Sequence, residues 1–597
     1  MRPLLAATLL AVAPTLLLLL ASVAALWPAG RSRLVPFFVG LAWVDALASV
    51  SLGVAGWGTL AQVDATLFTW SPMGLYGAAF VVQIEPESLL LALPPLTLAV
   101  AGAIASTRRR STRQATGEAG ARRAAGDALS LVGLAGAIWA LVAGDLVSLY
   151  LGMATFLVAG TGLVWLLAGA AAAGRRLFVV AVALAAFLTA VLLLGKVNGH
   201  FHIRDLSAIG YGAPVFLGLV LAAAAMALVP PLHHWALASA RARWSPALAV
   251  AGACVALDLL LLANRLAGDQ PVGVWRPALL AAIGWWTVLA CAGVAITRRA
   301  PPVRLAALAV GRAGLFFLAS AVGTAPALAA AVLYTLSLLI LLGLMWLLSA
   351  LHRAPHGSPV RPAGSSRGRT PAFWATSLLV ASAAGLPGTV GGLAKGALVG
   401  AFAGGPGGSQ LLRLAPLALD AAVLVVGGTL LWHGRHLAWP TGVTGWVAFV
   451  VAALATSGPV AAPNLLIGRW FGPAAAVALG TGGAPLTLEV SRQPSLFSWI
   501  LGLMALWVLV QRLRGREWLP RGGRVLLAAL TLAWSAMRQR WRIEVLGRGG
   551  GARLVPPWPA IGRGLQWSYG ILRPLEERYY AAAAVLLAVA LIYALGR

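Results

Sequence analysis

Acidic residues and lysine are scarce in this 597-residue chain: 16 Asp and Glu stand against 44 basic residues, of which only Lys196 and Lys395 are lysine. Charged residues of all kinds amount to 10%, while 60% are hydrophobic, which excludes an ordinary soluble domain. Cysteine is nearly absent. Cys254 and Cys291 both lie in apolar stretches, and neither sits in a CxxC or other zinc spacing. A disulfide framework and a zinc module are thereby excluded, and the pair reads as small buried hydrophobes. The glycines from Gly388 to Lys395 lack the Gly-Lys-Ser/Thr order of a phosphate loop. No pattern points to haem, iron–sulfur, flavin or nucleotide, so no cofactor and no metal is expected in this chain, and redox chemistry would belong to partners.

What the chain does hold is a series of apolar stretches, each of about 18–25 residues and long enough to cross roughly 30 Å of hydrocarbon. Sixteen can be drawn: 4–26, 36–57, 88–107, 127–144, 146–171, 177–195, 214–235, 246–266, 277–296, 303–323, 325–350, 372–402, 415–433, 443–460, 495–511 and 579–596. The first is too long for a signal-peptide core and is expected to be a retained helix. The fold class is an all-α polytopic membrane protein of about 14–16 transmembrane helices, placed in the cell (inner) membrane.

A net charge of +28 would suggest nucleic acid in a soluble chain, but topology accounts for it here. Loops after the odd segments up to the eleventh carry 19 basic residues, from Arg31 to Arg369, against about five after the even segments up to the twelfth. By the positive-inside rule the odd loops are cytoplasmic and the N-terminus is non-cytoplasmic. No nucleic-acid partner is expected.

The segments group as three N-terminal helices (1–126), two sets of five (127–266 and 277–433) and a C-terminal part (443–597) with an amphipathic interfacial stretch at 525–545. An odd number per set makes the second set start on the opposite side, the arrangement of inverted repeats. In each set the fourth segment is interrupted, by Pro230 and Pro231 in the first and by Gly385 and Pro387 in the second. Proline removes an amide and glycine loosens a helix, and irregular backbone survives at membrane depth only under protein or around a wet cavity.

Lys395 lies beyond the second interruption, with no other ionisable group from Ala375 to Leu398. Burying its ammonium there costs roughly 2.5–3.5 kcal/mol on insertion scales, which marks it as a functional candidate. Asp258 is similarly isolated, a relay acid or a structural partner of Arg265 or of Arg312, itself read as a structural counter-ion. His233 and His234 follow the first interruption and titrate in a useful range. Asp145 opens the fifth segment as a helix cap or a channel residue. Glu85, with Glu87, precedes the third segment and could line an exit. Asp45 and Asp420 are further intramembrane acids.

These features resemble the antiporter-like family shared by respiratory complex I, membrane-bound hydrogenases and Mrp-type Na⁺/H⁺ antiporters, over roughly residues 80–435. Ala384-Gly-Leu-Pro-Gly-Thr-Val-Gly-Gly-Leu-Ala-Lys395 resembles the family's broken twelfth helix, and Pro231-Leu-His233-His234-Trp235 its broken seventh. Gly144 to Gly152 is similar to the start of the fifth helix, which in the family continues to a glutamate paired with a lysine on the seventh. Here Ala154 and Met226 take those two places. Asp45 and Asp420 match no family position.

The resemblance implies a proton- or Na⁺-translocating, non-redox membrane subunit of an NADH:quinone oxidoreductase-like or related antiporter assembly in a respiratory chain. Its partners would be other membrane subunits, with a quinone-reducing or hydrogenase module. The alternatives are a non-conducting structural subunit, or the energising subunit of an inorganic-carbon uptake system.

Overall fold

The computed structural model describes residues 2–27, 33–56, 63–70, 78–84, 86–109, 118–206, 212–230, 240, 244–267, 275–298, 300–324, 326–334, 371–385, 389–404 and 410–434. Apolar runs become helices where length and hydropathy demand it. The chain forms α1 (Arg2–Leu26), α2 (Leu34–Gly56), α3 (Pro86–Arg109), α4 (Glu118–Leu141), α5 (Leu146–Ala168), α6 (Ala170–Asn198) and α7 (Ala213–Met226). After these come α8 (Ser245–Ala267), α9 (Trp275–Thr297), α10 (Pro301–Val322) and α11 (326–334). The described part closes with α12 (Pro371–Ala383), α13 (Val390–Gly404) and α14 (Gln410–Gly434). Six of them (α4, α5, α6, α8, α9 and α10) are long and apolar enough to cross a membrane.

The expected all-α fold needs one addition. A two-stranded antiparallel sheet, β1 (Val63–Trp70) with β2 (Ala78–Ile84), occupies the connection between α2 and α3. Its first strand, Val63-Asp-Ala-Thr-Leu-Phe-Thr-Trp70, is rich in the β-branched and aromatic residues that suit a pleated surface.

The helices are layered by burial. In α8 and α10, 89% of the membrane window is inside the protein, against 39% in α6. Thus α8 packs on α3, α4, α7 and α10, while α10 also meets α9, α13 and α14. Close contacts rely on glycine. The α-carbon of Gly136 on α4 stands so near α5 that an added Cβ would lie 2.8 Å from the Gly152 carbonyl oxygen. Gly284 on α9 meets the Gly314 carbonyl of α10 in the same way, at 2.7 Å. Small residues let backbones approach, which is how helices associate where lipid supplies no hydrophobic drive.

Loop contacts sort the connections onto two sides. Gly144 donates to the Val81 carbonyl of β2 (2.7 Å), and Leu146 donates to the Phe201 carbonyl (3.0 Å). Arg265, at the end of α8, donates to the Ile203 carbonyl (2.6 Å). The connections after α2, α4, α6 and α8 therefore share one face. On the other, Trp244 before α8 donates to Asp127 near the start of α4 (3.0 Å). This is the alternation that successive membrane crossings require.

The two sequence interruptions both fall where a helix ends. α7 stops at Met226, nine residues short of the expected 235, and closes with a Schellman turn. Val229 N–H donates to the Ala224 carbonyl and Leu228 N–H to that of Ala225, with Leu228 in the left-handed region at φ 58°. The run expected as one segment from 372 to 402 divides into α12 and α13. Gly385, at φ 74°, ends α12 by donating to the Ser382 carbonyl at 2.9 Å. Thr389 caps α13 by accepting from Gly392 N–H, and Ser382 Oγ accepts from Gly391 N–H across the gap (both 3.3 Å).

Candidate functional site

A three-membered charge cluster forms beside the second break. Arg312 comes from the middle of α10, Lys395 from the second turn of α13 and Asp420 from α14. Their side chains are 0%, 6% and 1% exposed, so solvent screens none of these charges. Arg312 Nη2 donates to Asp420 Oδ1 at 2.8 Å, and Lys395 Nζ lies 2.6 Å from Asp420 Oδ2. The lysine contact is an ion pair by distance whose angles fall short of a hydrogen bond.

The cluster is tied directly to the helix break. Arg312 Nη2 also donates to the carbonyl of Ala383, the last residue of α12, at 3.0 Å. The Tyr334 ring on α11 lies 5.2 Å from the guanidinium carbon, placing a negative π face against the cation. Gly385 closes the other side: a Cβ there would stand 2.7 Å from Lys395 Cδ and 3.5 Å from Asp420 Oδ2. The absent side chain is what lets lysine and carboxylate meet under the broken helix.

Two cations share one carboxylate, so the cluster carries one surplus positive charge while Lys395 is protonated and none when it is neutral. Arginine does not give up its proton. Only Lys395 can therefore switch the cluster between those states by a single proton. Arg312 takes Asp420 as its ion-pair partner, where the sequence had offered Asp258. The link from Asp420 to the other two residues had no sequence signal beyond its position as an acid inside an apolar run.

Other candidates stand elsewhere. Asp145 caps α5: Oδ1 accepts from Val147 N–H (2.9 Å) and Ser148 N–H (2.7 Å), while Oδ2 accepts from Ser148 Oγ (2.5 Å) and from Val81 N–H of β2 (2.9 Å). Its buried carboxylate thus joins the hairpin to α5. Asp258 is half-buried on α8, one turn from Cys254. Pro230 is buried just after the first break. Glu85, Pro231, His233, His234 and Pro387 lie outside the described residues, as does the C-terminal part from 443 to 597 with its amphipathic stretch. Among the described residues no group of three or more His, Cys, Asp or Glu side chains could hold a metal ion.

The first break has no counterpart of the cluster at the two family-matched positions. Met226 is fully buried, its carbonyl pressed against Gly252 of α8, and Phe156 fills the space beside Gly252. Ala154 is half-buried on α5.

Comparison with known proteins agrees with the motifs. Residues 143–405 match the family described as NADH:quinone oxidoreductase/Mrp antiporter, transmembrane. No curated protein matches the sequence. The fold is shared with solved structures of low identity. One is a chain of the Mrp complex from Dietzia sp., 20% identical, with a TM-score of 0.59, covering 79% of this chain and 98% of that one. Another, in respiratory complex I from Thermus thermophilus with bound NADH, is 20% identical with a TM-score of 0.62, covering 79% and 100%. A third, in the membrane-bound sulfane sulfur reductase, an archaeal respiratory membrane complex, is 18% identical with a TM-score of 0.62, covering 79% and 97%. The sequence is thus similar to that family over residues 143–405, and the fold is the one these multi-pass membrane subunits share.

Proposed function

We propose, from that similarity, that this chain works as one membrane subunit of a complex I-like or Mrp-type assembly and moves protons, or Na⁺, through its second half. The observation that carries this reading is the buried Lys395–Asp420 contact at the break between α12 and α13, with Arg312 holding the carboxylate from behind. A cation is expensive at this depth unless paired, and is retained there when it serves transport. A signal from a partner subunit that moves α13 relative to α14 would separate ammonium from carboxylate and change the proton's hold on Lys395. Arg312 stays charged throughout and keeps Asp420 in place, so the pair can re-form.

The first half, with Met226 and Ala154 at the family's charge-pair positions, serves as scaffold in this reading. Removing a glutamate and a lysine together leaves neither charge orphaned in low dielectric. The distribution of basic loops supports an N-terminus on the outer side, and redox chemistry would belong to partner subunits. Quinone-reducing or hydrogenase modules, if they take part, are separate subunits.

The test is Lys395→Ala, with ion movement measured in membrane vesicles and assembly measured by co-purification. Loss of ion movement with assembly intact is expected. Undiminished transport would overturn the reading and leave a bracing, non-conducting subunit. Co-purification of a single carbon-uptake partner in place of redox or antiporter subunits would reassign the ion flux to inorganic-carbon accumulation.

A further inference from the structure

On the face shared by the connections after α2, α4, α6 and α8, the loop that follows α6 holds two histidines that play no part in the cluster described above. The chain leaves α6 at Gly199, in the left-handed region at φ 74°, and Phe201 then packs its ring directly on Gly195. Two bonds clip this loop to the start of α5: Leu146 N–H donates to the Phe201 carbonyl and Ile203 N–H to the Gly144 carbonyl, both at 3.0 Å. They frame Asp145 and His202 as opposed residues of an antiparallel bridge, in the narrow pairing whose side chains stand close together on one side. Gly144 N–H and the Asp145 carboxylate in turn bind the carbonyl and the N–H of Val81 in β2, at 2.7 and 2.9 Å. The loop thus fastens α6 to α5, and the start of α5 holds the hairpin.

The histidines are the vulnerable part of that fastening. His200 and His202 are half-buried, and Nδ1 of each is enclosed by the chain with no hydrogen-bond partner. A neutral imidazole can leave Nδ1 bare and keep its proton on Nε2, whereas the imidazolium carries N–H on both nitrogens. Protonation therefore places a charged donor where nothing accepts from it. The charged side chains described on the elements that meet here are Asp145 from α5, Arg265 from α8, Lys196 from α6, and Arg204 and Asp205 of the loop, both exposed. Asp145 is the buried acid among them, and its two oxygens already accept four bonds. An imidazolium at His202 must draw Asp145 away from those donors or leave its place, and either movement undoes the fastening.

We propose that the loop from 199 to 206 is an acid-released clasp: with His200 and His202 neutral it holds the start of α5 and the hairpin bound there, and when they take up protons it lets go. Imidazole is the side chain that changes charge between about pH 5 and 8, the range a membrane surface experiences when protons accumulate beside it. Gly199, where an added Cβ would meet nothing within 4 Å, gives the loop a hinge free to swing. The inference goes beyond the conduction reading and is independent of whether Lys395 conducts.

The experiment uses the full chain in lipid nanodiscs, with nitroxide labels on Thr66→Cys of β1 and Asp205→Cys of the loop, both exposed positions. The native Cys254 and Cys291 are buried. Pulsed dipolar spectroscopy reads the distance between the labels. A single short distance is expected at the alkaline end, and a longer component should grow by about tenfold from about pH 8 to about pH 5. His200→Gln combined with His202→Gln should keep the short distance across the whole range. A distance that ignores pH overturns the proposal, and so does an undiminished response in the double variant, which would put the titrating group at Asp145. If the double variant is already open at the alkaline end, the single variants decide: each should respond less than the native chain, and an undiminished response in both overturns the proposal. No transport is measured, and Lys395→Ala should leave the acid response unchanged, which separates the two readings.

Discussion

At the first break the chain leaves α7 through a leucine in the left-handed region, and the space around it is apolar: Met226 is fully buried and Phe156 packs beside Gly252. At the second it leaves α12 through Gly385, and the space beside that turn holds Lys395, Asp420 and Arg312. Both turns place a left-handed residue two positions beyond the helix and bond its N–H to the carbonyl three residues back. The backbone solution is therefore shared, and the difference lies in what surrounds it. A leucine at φ 58° costs about 1–2 kcal/mol that a glycine avoids. Where the side chain only fills space, the apolar packing of Leu228 can offset that cost. Where a lysine must reach a carboxylate past the turn, any Cβ is in the way.

The sharpest way to break this comparison is to remove the anion. Asp420→Ala leaves Arg312 and Lys395 buried without the carboxylate they share, and breaking one partner out of a buried pair costs about 3–5 kcal/mol. The variant should lose most of its folded population, read as a lowered unfolding midpoint in detergent. An unchanged midpoint would mean that other groups hold the two cations, and the contrast between the halves would fail.

Packing, unlike charge, should respond alike in both halves. Gly136→Ala and Gly284→Ala each drive a methyl into a facing backbone oxygen, at 2.8 and 2.7 Å. Overpacking of this kind costs about 1–3 kcal/mol. Similar drops in the unfolding midpoint are expected for the two variants. A drop in only one would show that the α4–α5 and α9–α10 contacts are not equivalent.

Gly385→Ala is the corresponding test of the turn. It adds about 1–2 kcal/mol of left-handed strain and a Cβ 2.7 Å from Lys395 Cδ. The lysine side chain can swing aside, so the fold should survive while ion movement falls by more than the small stability change explains. Leu228→Gly should lower stability by about 1 kcal/mol or less, because relief of strain partly offsets lost burial, and should leave ion movement alone. Equal transport defects in the two variants would return the first half to the conducting path.

Much of this contrast is legible in the sequence, because hydropathy fixes where helices run and Pro-Gly clusters fix where they stop. The ends of α5, α8, α9 and α10 fall within a few residues of the expected segments, and Lys395 announces itself by isolation. The positive φ of Leu228 has no such signal, since leucine is the wrong residue for it. The β1–β2 hairpin is hidden for another reason: its strands are short beside the apolar runs, although Val63 to Trp70 has strand-like composition. Arg312, Lys395 and Asp420 are each visible as intramembrane charges, yet they lie on three helices up to 108 positions apart, and only the packing of α10, α13 and α14 joins them. Asp145 shows the converse. Its cap was readable from its place before an apolar run, but the bond to Val81 that recruits the hairpin was not.

The smallest effect on stability should come from one apolar substitution at each break. Met226→Leu keeps volume and adds no charge, so it should cost less than about 1.5 kcal/mol and leave transport unchanged. Lys395→Met installs the first half's residue in the second. It removes the surplus cation and leaves Asp420 paired with Arg312 at 2.8 Å, so no charge is orphaned and stability should change little. Ion movement should nevertheless stop, because the remaining cation cannot exchange its proton. One substitution would thus be nearly silent at the first break, and its mirror silent in the unfolding midpoint but decisive in the vesicle assay. If Lys395→Met instead destabilises the protein as strongly as Asp420→Ala, the lysine is a structural counter-ion and the two breaks differ in architecture alone.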